Sequence, residues 1–283
     1  AHMFCVSISA WDILKLRNSE SRIQVVCRSL IDKEEKSMIV SLAASLSLDN
    51  DLEANRDSME KMLAEAAAEG SQLVLFGEAY LHGFEALSFN YEHDIKKVAL
   101  GLNSPEITKT RQLAIKYETA MGFGFFENDH GGIYCTYLIV DEEGEPLVKY
   151  QRVSRGWREP EANAEYRMGT NFPIFEYGGK KFGVMVCGDF WEDELLDQIV
   201  AIDPEVDAFI WPVHCDYLVE EWSEKVHDEY RQRSQILAKP IFFINNVRQN
   251  IEGAKGGAYI WQQGKELAGC DPGLECLLTF KLE

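Results

Sequence analysis

No apolar run in the sequence approaches the roughly 18–20 residues that cross a bilayer, and Asp12 and Lys15 interrupt the short apolar stretch near its start. Neither a membrane span nor a secretory signal is expected. No Cys-x-x-Cys occurs among the seven cysteines, Cys5, Cys27, Cys135, Cys187, Cys215, Cys270 and Cys276, and their number is odd. That usage argues against structural zinc and against a disulfide framework, and it suits a reducing cytoplasm. Basic residues are scarce: 28 Lys and Arg stand against 47 Asp and Glu, for a net charge of −19. Nucleic acid and anionic membranes need a basic surface, so neither is an expected partner. Low-complexity tracts and a recognisable interdomain linker are missing as well.

What remains is an ordinary globular composition, 46% hydrophobic and 27% charged over 283 residues. That length has room for one large domain with a sizeable core. Residues 1–3 read as a cloning remnant, and residues 4–36 as a separate arm with nearly balanced charge. In the arm, Ile23, Val26, Cys27, Leu30 and Ile31 follow helical spacing behind a Ser21 N-cap, giving one apolar face for its own domain or for a second subunit. From residue 37 onward strands and helices alternate. Met38, Val40 and Leu42 mark a buried strand, residues 51–69 a helix stopped at Gly70, and Leu73–Phe76 a second buried strand. Ser104-Pro105-Glu106 opens another helix. Strands are expected near 121–126, 133–140 and 145–153, with Asp141–Gly144 as a hairpin turn. The second half has strands at 172–177 and 181–186 around Gly178-Gly179, then at 207–212 and 241–246, with a helix at 222–238. Two closing strands fit 257–262 and 274–282. So many hairpins imply mixed sheets rather than a purely parallel one.

The stretch from Phe182 to Glu192 carries the clearest chemical signal. An apolar strand runs into Cys187-Gly188, and Asp189 and Glu192 then suit a helix N-terminus. This is nucleophile-elbow geometry. A helix N-terminus favours the thiolate, and Gly188 allows a substrate close to a backbone N–H that can hold an oxyanion. For an isolated cysteine, a buried thiol at a strand end is the commoner explanation; here the glycine and the capping pair favour a nucleophile. A nucleophilic Cys needs a general base, and Glu78, at the mouth of the second buried strand, is the best-placed carboxylate.

These segments, in this order, resemble the nitrilase superfamily of carbon–nitrogen hydrolases. Phe76-Gly77-Glu78 through Gly83-Phe84 resembles the family's Glu segment, with Gly77 where Pro is more usual. Val186-Cys187-Gly188-Asp189 resembles its Cys segment, and Asp207–Pro212, Ile241–Asn246 and Gly256–Gly264 resemble later elements. The resemblance spans residues 37–282 and implies a four-layer α–β–β–α sandwich with two mixed sheets, and a homodimer or higher homo-oligomer. It also implies a small amide or nitrile-like substrate, hydrolysed through a cysteine thioester without metal or organic cofactor. An acyl transferase, or an impaired member retained for binding, is the alternative. The family's catalytic Lys falls at Arg152. Lys149 lies an odd number of residues away, on the opposite strand face. An arginine fork paired with Glu78 in bidentate fashion would tie up that carboxylate, so that Arg152→Lys would raise amidase activity. A second family Glu falls at Glu159 or Glu161, with Glu159 favoured. Trp191 and His214 are expected to line the pocket beside Cys187 and Gly188.

Overall fold

Two six-stranded mixed sheets form the core of the unit Met38–Leu282 in this computed structural model, which describes residues 37–249 and 253–283. The arm at 4–36 lies outside the described residues, and both sheets belong to the unit Met38–Leu282.

In chain order the strands and main helices are β1 (Met38–Ala44), α1 (Leu52–Ala68), β2 (Leu73–Leu75), α2 (Tyr91–Lys97), α3 (Pro105–Tyr117), β3 (Ala120–Asp129), β4 (Gly132–Val140) and β5 (Pro146–Gln151). There follow β6 (Ile174–Tyr177), β7 (Lys180–Val184), α4 (Asp193–Ile202), β8 (Ala208–Val213), α5 (His227–Arg233), β9 (Ile241–Asn245), β10 (Ala258–Gln262), β11 (Lys265–Cys270) and β12 (Cys276–Leu282). The first sheet has the order β12-β1-β2-β3-β4-β5 and the second β11-β10-β9-β8-β7-β6. In each, three central strands run parallel (β1, β2, β3 and β7, β8, β9) and hairpin strands flank them antiparallel. Helices cover the outer faces, as the α–β–β–α expectation required.

Strand alternation builds the layers. Leu73 and Leu75 point into the inter-sheet core with Val40, Leu42, Val184 and Ile210. Val74 and Phe76 point the other way, to Met59, Leu63, Ile107 and Leu113 of α1 and α3. A period of two thus serves two cores from one strand. The helix ends follow their sequence signals. Asp51 accepts from Ala54 N–H at 3.1 Å to start α1, and Ser104 caps α3 with Pro105 behind it. Gly178 and Gly179 both take positive φ, 60° and 80°, in the tight turn between β6 and β7.

Three expectations need correction. Helix 222–238 is segmented: a π-helical turn at Trp222–Val226, α5, and a 3-10 turn at Ser234–Ile236. Strand β11 was not anticipated, because it is an edge strand, largely exposed, without an apolar alternation to betray it. And Cys270 and Cys276 form a disulfide, with Cα atoms 6.7 Å apart, where only free thiols were expected. The turn between β11 and β12 brings the two together, a geometry that spacing alone does not reveal.

Candidate active site

Glu78, Arg152 and Cys187 come from three separate chain segments and meet in one buried network. Glu78 lies in the loop leaving β2 and is fully buried, and Arg152, just past β5, is 2% exposed. Arg152 Nη1 donates to Glu78 Oε1 at 2.5 Å, and Cys135 Sγ donates to the same oxygen at 3.4 Å. The peptide N–H of His214, in the loop leaving β8, donates to Glu78 Oε2 at 3.1 Å. Asn246 Nδ2 donates to the Glu78 carbonyl at 2.7 Å. A Cβ at position 77 would lie 2.1 Å from Asn246 Oδ1. Glycine at 77 leaves the space this amide occupies.

Strand parity separates Arg152 from Lys149 as expected. On β5, Lys149 and Gln151 face outward and bond Glu127 and Asp129, with Lys149 Nζ 2.9 Å from each. Tyr150 and Arg152 face inward, Tyr150 to Asp189 and Arg152 to Glu78. The expected bidentate fork is corrected, however. Only Nη1 reaches Glu78; Nε donates to Ser154 Oγ at 2.7 Å. The third nitrogen, Nη2, abuts two glycines: a Cβ would lie 2.5 Å from it at Gly188 and 3.1 Å at Gly156. The cavity is thus shaped for a guanidinium, with a hydroxyl for one edge and two missing side chains for another.

Cys187 sits at a strained elbow. Its φ is +46°, in the left-handed region that non-glycine residues seldom adopt. Its carbonyl accepts from Trp211 Nε1 at 2.9 Å, and its Sγ is 3.8 Å from the His214 carbonyl oxygen. Asp189 fastens this elbow to the segment that carries Arg152. Its carboxylate accepts from Val186 N–H at 2.7 Å, Ser154 N–H at 2.7 Å, Val153 N–H at 3.2 Å and the Tyr150 hydroxyl at 2.5 Å. Sequence reasoning saw Asp189 only as a capping residue. Its inward-facing partners come from a strand far away in sequence, so local pattern carried no sign of this role.

Electrostatics run against an activated resting thiolate. A hydrogen bond with the Cys215 thiol, burial, and the negative charge of Glu78 all push the Cys187 thiol up, opposed by Arg152. The main helix, α4, starts only at Asp193, and the turn at Cys187–Phe190 is a single 3-10 turn, so the thiol does not sit at the N-terminus of α4 as expected. Burial disfavours the charge on Arg152, yet Glu78 and the other nearby groups more than offset it, so the guanidinium stays protonated. Burial raises Asp189 despite Arg152 and its donors.

His214 and Gly188 are brought to this network. Trp191 is partly exposed and packs against Trp211 and Tyr230. Glu159 and Glu161 are exposed on the loop after Arg152, and among the described residues no hydrogen bond or ion pair joins either to Glu78, Arg152 or Cys187. The turn closed by Ala162 N–H on the Glu159 carbonyl holds that stretch. Cys215, which no local pattern singles out, stands beside Cys187 and within 3.0 Å of the Tyr230 hydroxyl.

Comparison with known proteins bears on the family and the fold. The carbon-nitrogen hydrolase family model matches residues 42–279. Nitrilase 3 of Arabidopsis thaliana is 24% identical, over 86% of this chain and 78% of its own. The bifunctional nitrilase/nitrile hydratase NIT4A of Lupinus angustifolius is 29% identical over 51% of this chain, a match that spans less than half (44%) of that relative. Among solved structures, an amidase from Nesterenkonia sp. AN1, with the acetamide moiety of fluoroacetamide covalently added at its active site cysteine, superposes with a TM-score of 0.71. It is 19% identical, over 87% of this chain and 90% of that one, and the likeness is one of fold. A domain-wide family match, two mixed sheets between helices, and an elbow cysteine beside a buried Glu and cation agree: the chain belongs to the carbon-nitrogen hydrolase family, the nitrilase superfamily.

Proposed function

We propose that the protein hydrolyses a small amide through a thioester on Cys187. The observation that carries this reading is the single buried network joining Glu78, Arg152 and the Cys187 elbow. The amidase and nitrilase relatives support the substrate class.

In the proposed cycle Cys187 rests as a neutral thiol, consistent with its upward shift. As its sulfur attacks the carbonyl carbon, Glu78 takes the thiol proton. The oxyanion is held by the Arg152 guanidinium and the Gly188 N–H. The C–N bond breaks, Glu78 passes the proton to the departing nitrogen, and ammonia or an amine leaves. Glu78 then deprotonates water, the hydroxide adds to the thioester, the C–S bond breaks and the proton returns to sulfur. Arg152 serves as a fixed positive charge, which needs no deprotonation. Because Ser154, Gly156 and Gly188 are fitted to the guanidinium, Arg152→Lys lowers activity in this reading, the reverse of the expectation from sequence.

The test is ammonia release from a panel of small amides by the wild type, Cys187→Ala and Glu78→Gln. Release that both variants abolish supports the proposal. A second reading, an impaired member that binds without turnover, is favoured by one feature: Arg152 and Cys135 occupy Glu78 Oε1 and the His214 N–H occupies Oε2. Ligand binding without ammonia release across the panel would establish it instead.

A further inference from the structure

The side chain of His214 takes no part in the proposed reaction, in which only its backbone touches Glu78 and Cys187. Its ring points instead to two acidic residues from different loops, Glu85 in the 3-10 turn Phe84–Ala86 and Asp216 two residues on. We infer that Glu85, His214 and Asp216 bind a divalent transition-metal cation, with His214 Nε2 and one carboxylate oxygen from each acid as ligands.

Several observations carry this. The three ligand atoms lie within 4.8 Å of one another. His214 Nε2 is buried and has no hydrogen-bond partner. Asp216 Oδ1 is 3.2 Å from it, at ion-pair distance. A nitrogen and an oxygen at that separation match two ligands of one metal, each about 2.0–2.2 Å from it. The local charge points the same way. Asp49, Glu85 and Asp216 bring three carboxylates to this corner, and Arg248, paired with Asp49 and 3.9 Å from Glu85, offsets one. Carboxylates outnumber the one guanidinium placed among them, which favours a cation. Finally, the imidazole is pre-positioned: Phe84 stacks on it with centroids 4.5 Å apart and planes 6° from parallel. Glu85 and Asp216 have side chains 60% and 42% exposed, so both can close the last distance at little packing cost.

The tautomer is the remaining requirement, since a ligating Nε2 needs its proton on Nδ1. Asn246 Nδ2 is 3.2 Å from Nδ1, and Asn246 Oδ1 is itself buried without a partner. For Oδ1 to accept the Nδ1 proton the amide must turn and also swing from the Glu78 carbonyl toward the ring, since turned in place its oxygen would lie 2.7 Å from that carbonyl oxygen. A donor set of one imidazole and two carboxylates, with no thiolate, suits Zn2+, Co2+ or Mn2+. The bound ion clamps the loop after β2 to the loop after β8, the two loops that present Glu78 and His214. It is not a participant in the reaction.

The experiment is titration of the full chain with Co2+, read by visible d–d absorption and by thermal unfolding. The wild type, Glu85→Gln/Asp216→Asn and Cys187→Ser are compared, with circular dichroism verifying that each is folded. The proposal expects saturable d–d bands without a thiolate charge-transfer band, and a melting temperature that rises with Co2+. It expects affinity at least about tenfold weaker in the double carboxylate variant and unchanged in Cys187→Ser. Absence of binding in the wild type, equal affinity in the double variant, or a charge-transfer band that vanishes in Cys187→Ser would each overturn it.

Discussion

Removing the Arg152 side chain charge while keeping its bulk, as in Arg152→Met, leaves the Glu78 carboxylate fully buried with no cation. The 2.5 Å charge-assisted bond is lost, and what remains is donation from the His214 N–H and the Cys135 thiol. Breaking a buried pair from one side costs about 3–5 kcal/mol, because the partner is left uncompensated. Against a typical total stability of about 5–15 kcal/mol that is a large fraction. Glu78→Gln alone should cost a similar amount by stranding the guanidinium. The double variant should not sum the two. The introduced glutamine can still accept from the His214 N–H, and the introduced methionine asks for no counter-charge, so a coupling energy of at least about 2 kcal/mol is expected. Urea unfolding followed by both circular dichroism and tryptophan fluorescence measures it, with coincident transitions as the check on two-state behaviour. Single variants within about 0.5 kcal/mol of wild type, or simple additivity in the double, would show that the Glu78–Arg152 contact is not the buried pair described.

Other outcomes follow from particular residues. Because Cys187 is pushed up, its alkylation by iodoacetamide in the free protein should keep accelerating above the ordinary thiol pKa of about 8.5; a plateau already reached at neutral pH would refute the neutral resting thiol. Burial lowers His82 to about 4 from 6.5, while its Nε2 bonds the Val98 carbonyl at 2.8 Å. The unfolded chain binds that proton more readily. Stability present above the unfolded pKa should therefore be lost as pH falls from 6.5 towards 4, by up to about 3 kcal/mol. His82→Gln, which keeps a donor and an acceptor, should flatten that slope in urea titrations. Gly188→Ala places a methyl 2.5 Å from Arg152 Nη2 and 3.1 Å from Ser154 Oγ, so turnover should drop about 10²-fold or more, as for a lost oxyanion donor; near-wild-type kcat would mean that the guanidinium position does not matter.

The layered fold was legible because each strand of the parallel centres is an apolar run closed by a turn signal, as in Leu73–Phe76, and because Gly70, Ser104-Pro105 and Gly178-Gly179 mark ends that physics constrains tightly. What was missed lies at edges and in polar segments. Strand β11 is an exposed edge, and α2 buries little beyond Asp94, so neither shows a periodic apolar face. The site was partly legible in the same way. Strand parity separated Arg152 from Lys149 without any coordinates, and the elbow showed in Cys187-Gly188. Asp189 and Cys215 could not be assigned roles, since their partners come from distant segments: Tyr150, Val153 and Ser154 for one, Cys187 and Tyr230 for the other. The upward push on the Cys187 thiol comes from Cys215 and from burial, which only the assembled fold brings together.

Intact-mass analysis of the protein quenched during reaction with small amides tests the central claim most directly. An acyl adduct, equal to the amide less ammonia or amine, should map to the peptide containing Cys187 and be absent from Cys187→Ala. Ammonia released at full rate by Cys187→Ala, or an acyl adduct mapping to Cys135 or Cys215 instead, would contradict it.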